Sequence, residues 1–100
     1  ERKSLQDLAQ TITKGHTRFK YELERAKGLA YFAIVVEGTY HDFTNKVWSE
    51  SHRMRLKGFV LAKIISTIHL KYRVPLWFTT GKVEAKALTK ELFAAYLRNI

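Results

Sequence analysis

Apolar side chains recur with a helical period in four stretches of this chain and crowd into short runs in two others. Leu5, Leu8 and Ile12 repeat at three- and four-residue spacing, so a helix there carries one apolar face. Ser4 stands before that stripe with Asp7 three positions on, the pattern of an N-cap hydroxyl and its acidic capping-box partner. Gly15 ends this helix. A second is predicted from about Thr17 to Lys27, with Phe19, Leu23 and Ala26 facing inward and Lys20 and Glu24 paired on the solvated side. Tyr31 to Val36 is an unbroken apolar, β-rich run bounded by Gly28 and Gly38, and reads as a strand covered on both faces. Residues 41–51 are polar and irregular and read as a mobile loop. Trp48 within it has two fates open, stacking on an unpaired base or, more commonly for a Trp, packing on the domain. From about Arg53 to Tyr72 the pattern is helical and apolar round much of its circumference (Leu56, Phe59, Val60, Ile64, Ile65, Ile68), the mark of a largely buried helix. Val74 to Thr79 is a further strand, with Pro75 suiting its entrance or a sheet edge. Gly81 turns the chain into a last helix, Val83 to Leu97, whose stripe is Leu88, Leu92 and Tyr96. This alternation predicts a layered α/β fold with right-handed crossovers between parallel strands, in one domain over residues 1–100.

Composition adds a core and a partner. With 46% hydrophobic and 13% aromatic residues, one Pro and five Gly, the 100 residues suffice for a single packed core with little stability to spare. The absence of Cys excludes a disulfide framework and any Cys-based metal site. The longest apolar stretch, Phe59 to Leu70, is interrupted by Lys63 and is too short to span a bilayer, so a soluble protein with no membrane partner is expected. Lys and Arg number 18 against 9 Asp and Glu, a formal charge of +9. A small domain this basic is suited to a polyanion, since each cation placed on a phosphate releases condensed counterions. No Gly-rich phosphate loop, nucleophile elbow or zinc pattern is present.

Chemistry concentrates in the first three residues. If Glu1-Arg2-Lys3 is a strand end, period-two alternation puts Glu1 and Lys3 on one face and Arg2 on the other. Phosphodiester hydrolysis needs a hard divalent cation on carboxylate oxygens, and gains from a fixed positive charge beside the attacking water. An acid-x-Lys pair supplies both from one strand. Alone, the tripeptide is equally a solvated charge cluster.

Glu1-Arg2-Lys3-Ser4-Leu5-Gln6-Asp7-Leu8 resembles the signature of the XPF nuclease family, an ERK triplet followed three residues later by Asp-Leu. Gly15 to Phe19 with Glu22 to Arg25 is similar to the following helix of the family's bacterial and phage members, and Ile34 to Gly38 to their next strand. Arg53 to Lys57 resembles the basic start of the long helix, and Lys71 to Pro75 with Phe78 to Gly81 the last strand. The resemblance implies a three-layer restriction-endonuclease-like α/β fold, with its N-terminal strands upstream of Glu1. It further implies a metal-dependent, structure-selective endonuclease of DNA repair or recombination, using Mg²⁺ or Mn²⁺ on flap, fork or other branched DNA. Homo- or heterodimers are expected, in the cytoplasm at the nucleoid of a bacterium or phage host, or in a eukaryotic nucleus. By the same resemblance Glu1 is a metal ligand, Lys3 the catalytic cation and Arg2 a support from the opposite face of the strand. Asp7 belongs to the family motif, and serves equally as a capping acid. The motif's opening Gly-Asp, a principal metal ligand, lies outside this sequence, so the chain is expected to be part of a larger domain. The alternative is a catalytically inactive partner that binds DNA or dimerises with an active subunit.

Further residues are singled out by position. Glu37, at a strand end beside Gly38, is a candidate for the surroundings of the metal site, since ligands of open α/β sheets gather at the carboxyl ends of strands. Arg18 and Arg25 are candidates for phosphate contacts, or for pairing with Glu22 and other acids. Arg53, Arg55 and Lys57 crowd a predicted helix start, where three cations oppose the helix dipole and call for an external anion, here the DNA backbone.

Overall fold

A strand, β1 (Arg2–Ser4), runs into α1 (Leu5–Ile12) with no intervening loop. Ser4 serves both elements. Its backbone is extended (φ −71°, ψ 167°), and its Oγ accepts the Asp7 N–H at 3.1 Å, satisfying one of the orphan donors of the first turn. The computed structural model describes residues 1–13, 15–29, 31–51 and 54–99. α1 buries Leu8, Ala9 and Ile12, and α2 (His16–Ala26) buries Phe19, Leu23 and Ala26, the stripes their spacing predicts. Glu24 pairs with Lys27 at 3.1 Å rather than with Lys20.

β2 (Ile34–Glu37) is the central strand of a three-stranded sheet, flanked by β1 and β5 (Leu76–Phe78), with both pairings parallel. The register sets Lys3 opposite Val36 and Val36 opposite Phe78, so these three side chains share one face of the sheet. Ile34 and Val36 on that face are fully buried, in a core with α1, α2 and the long helix α4 (Gly58–Tyr72), whose Leu61, Ile65 and Ile68 point inward. Val35 points to the other face, where α5 (Lys82–Arg98) lies over β2. The layers are therefore helices, parallel sheet, helix, compatible with the restriction-endonuclease-like arrangement. Burial on both faces explains why β2 reads as a continuous apolar run. Arg73 closes α4 in the left-handed conformation (φ 55°), and Pro75 two residues on prevents the helix from resuming.

Residues 41–57 depart from the expected pattern. The predicted loop holds a short helix, α3 (Tyr40–Thr44), and a strand, β3 (Val47–Ser51), that pairs antiparallel with β4 (Met54–Lys57). Thr39 caps α3 by accepting the Asp42 N–H at 3.0 Å, and Phe43 anchors it in the core. Trp48 packs on the domain: it is 7% exposed, its ring lies 5.6 Å from that of Phe43, and its Nε1 donates to the Phe43 carbonyl at 2.8 Å. The long helix accordingly begins at Gly58, not at Arg53. Met54 to Lys57 alternates apolar and basic residues, a strand period that runs straight into the helical one and was absorbed by it.

Candidate functional site

Alternation along β1 sends Lys3 toward α1 and Arg2 to the opposite face. The strand is fixed beside β2 by backbone bonds, among them Val35 N–H to the Glu1 carbonyl at 2.7 Å. Lys3 is largely covered, with its side chain 13% exposed, and its ammonium is held by two groups. Nζ lies 3.0 Å from Glu1 Oε1 and donates to Thr11 Oγ1 at 3.2 Å. A polar cleft of about 490 Å³ opens over this pair, bordered by Gln10 and Thr11 of α1 and by Arg18 and Glu22 of α2. Arg18 Nε approaches Glu22 Oε1 at 3.5 Å across one turn of α2, and its side chain is 88% exposed.

On the other face Arg2 reaches Glu37 Oε2 at 3.4 Å, an ion pair that spans β1 and β2. Glu37 is thus set beside Arg2 and turned away from the face that carries Lys3. Asp7 is exposed in the first turn of α1, where its charge complements the helix dipole, and it makes no ion pair among the described residues. The structure therefore gathers Glu1, Lys3 and Arg18 at one cleft and places Asp7 and Glu37 outside its lining.

Of the cluster at residues 53–57, Arg53 lies outside the described residues. Arg55 belongs to β4, opposite Ser49, so the expected crowding of three cations on a helix N-terminus is replaced by a strand. Lys57 alone sits at the α4 N-cap, exposed, with its ammonium 6.0 Å from the centre of the Phe59 ring. The sequence gives no local sign that Gln10 and Thr11 border the site, and it offers Glu22 only as an ion-pair partner for the arginines of α2, which it is for Arg18. The available signal for Thr11 was that α1 turns back over β1, which brings a residue eight positions after Lys3 above it.

A hard divalent cation takes oxygen donors, and one or two carboxylates with water and phosphate oxygens suffice. Glu1 fits that requirement as one donor at the cleft, and Glu22 is a second carboxylate on the same lining. Among the described residues no three His, Cys, Asp or Glu side chains gather into a metal cage. Nor is any described helix long and apolar enough to cross a membrane.

Residues 1–92, nearly the whole chain, match the ERCC4 domain. No curated protein and no solved structure matches the chain significantly.

Proposed function

We propose that this chain, which belongs to the ERCC4 domain family of XPF-type nuclease domains, cleaves phosphodiester bonds of branched DNA at the Glu1–Lys3 cleft with a divalent cation and water. The observation that carries the reading is the hold on Lys3. An ammonium has three N–H donors; Glu1 and Thr11 take two, which leaves one for a phosphate oxygen or for the attacking water. Held this way, the positive charge is already in place where negative charge develops on the phosphoryl group, and no reorganisation is needed during reaction. Glu1 spends one oxygen on Lys3 and keeps the other as the donor for Mg²⁺ or Mn²⁺. The cation, when bound, polarises the phosphoryl oxygen and acidifies water. Arg18 at the rim supplies a phosphate contact. Arg2, locked to Glu37, keeps β1 in register from the far face and so supports the alternation that pairs Glu1 with Lys3.

Thr11 is a positioning residue in this scheme. Thr11→Val is expected to lower kcat about tenfold, since a hydrogen bond to a charged group contributes roughly 1.5 kcal/mol. KM and Tm are expected to stay at the parent values, and Thr11→Ser to restore the rate. Steady-state kinetics on a fork substrate with a thermal melt of each variant checks this, and an unaltered kcat in Thr11→Val would remove Thr11 from the site.

The function itself is tested by incubating the full-length protein with labelled flap, fork and blunt duplex DNA in Mg²⁺, Mn²⁺ or EDTA. Cation-dependent cutting of the branched substrates supports the reading. Tight binding without cutting under every cation points to the inactive-partner alternative.

A further inference from the structure

Three features of the molecule stand outside the cleft chemistry: the exposed apolar side chains of α5, the hydrogen bond between His69 and the Val74 carbonyl, and an exposed Tyr on α2 between two arginines. The last is continuous with the cleft. Phe19, Leu23 and Ala26 turn the inner face of α2 into the core, so Tyr21 is directed outward and is 66% exposed. Arg18, Tyr21 and Arg25 follow one another at three- and four-residue spacing and form a single stripe on the helix surface. All three line one shallow groove with Gly15 and Thr17, and Gly15 and Arg18 also border the cleft that holds Glu1 and Lys3.

A lone exposed Tyr needs no explanation. This one lies between two guanidinium groups that have little to hold them elsewhere. Arg25 makes no ion pair among the described residues, and the Arg18–Glu22 contact joins an almost fully exposed Arg to its partner, a kind of pair that stabilises little and gives way readily to a stronger anion. The seven residue steps from Arg18 to Arg25 rise about 10 Å along the helix, roughly the span of three stacked nucleotides.

We infer that the Arg18–Tyr21–Arg25 stripe of α2 is a seat for single-stranded DNA, in which Tyr21 stacks on an unpaired base while the arginines take the flanking phosphates. This rests on the reading of the cleft as a DNA-cleaving site, and it gives that site a source of selectivity. A paired base is already stacked on its neighbours inside the duplex and cannot offer its face to Tyr21. An unpaired base next to a branch point can, and it then sits one helix turn from the lining of the cleft.

Fluorescence anisotropy in EDTA separates this inference from the cleavage chemistry, because no turnover is needed to read binding. The full-length parent, Tyr21→Ala and Tyr21→Phe are titrated against a single-stranded oligonucleotide, a fork with single-stranded arms and a blunt duplex. Tyr21→Ala is expected to lose roughly 5- to 100-fold in affinity for the single strand and the fork, the effect of one lost base–aromatic stack. It should bind the duplex within about twofold of the parent, while Tyr21→Phe, which keeps the ring, matches the parent throughout. Arg18→Ala and Arg25→Ala are expected to weaken all three DNAs alike and to flatten the salt dependence. The inference is overturned if Tyr21→Ala binds the single strand as the parent does, if its loss on the duplex equals that on the single strand, or if the parent itself binds no single-stranded DNA. Intact single-strand binding together with a protein that cuts nothing would sink the cleavage reading and leave this seat standing.

Discussion

Replacing Lys3 by Ala is expected to slow cleavage of fork DNA by about 10²- to 10³-fold, the usual effect of removing one fixed donor from developing transition-state charge. Affinity for the same DNA in EDTA should change little, because the Lys3 side chain is only 13% exposed and its ammonium is engaged by Glu1 and Thr11. The domain should remain folded, as Lys3 lies outside the hydrophobic core. Single-turnover rates and equilibrium binding, measured on one preparation, separate these effects. A variant that cuts at the parent rate would exclude Lys3 from the chemistry. One that loses affinity and rate together would make it a binding residue only.

The second large effect is on stability. Gly58 opens α4 where the chain passes beneath α3, and its N–H donates to the Lys46 carbonyl at 2.8 Å. A Cβ at this position would overlap the carbonyl oxygens of Phe43 and Thr44, which are backbone atoms and cannot swing aside as a side-chain tip can. Gly58→Ala is therefore expected to destabilise the fold by about 3 kcal/mol, the upper part of the range for overpacking. In a domain of this length that lowers Tm by roughly 12–24 °C. Gly28→Ala, whose added Cβ meets only the Arg25 carbonyl at an ordinary 3.6 Å, should stay within about 0.5 kcal/mol of the parent. Thermal melts of the three proteins check the pair, and equal Tm values would show that the α3–α4 junction yields more easily than close packing allows.

The junction at Gly58 is also where the sequence misleads. Period-two alternation in Met54 to Lys57 passes into the helical pattern of α4 with only Gly58 between them, and a glycine inside a helical pattern is a weak signal of its start. α3 has five residues, too few to hold a helix by propensity, and it exists because Phe43 is fully buried and Thr39 caps it. Such an element depends on partners far along the chain, so local composition reads it as a loop. β1, α1, α2 and β2 were legible because their signals are local: an alternating charged triplet, a capping Ser, two apolar stripes and a doubly covered strand. The Glu1–Lys3 pairing followed from alternation alone. Thr11 and Glu22 did not, since their approach to the cleft depends on how α1 and α2 fold back over β1. Glu37 was placed at the right end of its strand, while the register that turns it toward Arg2 is a property of the β1–β2 pairing.

The most direct test of the account is the single-turnover rate of fork cleavage across a Mg²⁺ titration, for the full-length parent and for Glu1→Gln. The substitution keeps the shape of the side chain and removes the charge that both a cation and Lys3 require. The account predicts saturable, Mg²⁺-dependent cutting by the parent and a loss of about 10²-fold or more in Glu1→Gln, the scale of a lost electrostatic stabiliser. Coincident Mg²⁺ curves and rates for the two proteins would contradict it.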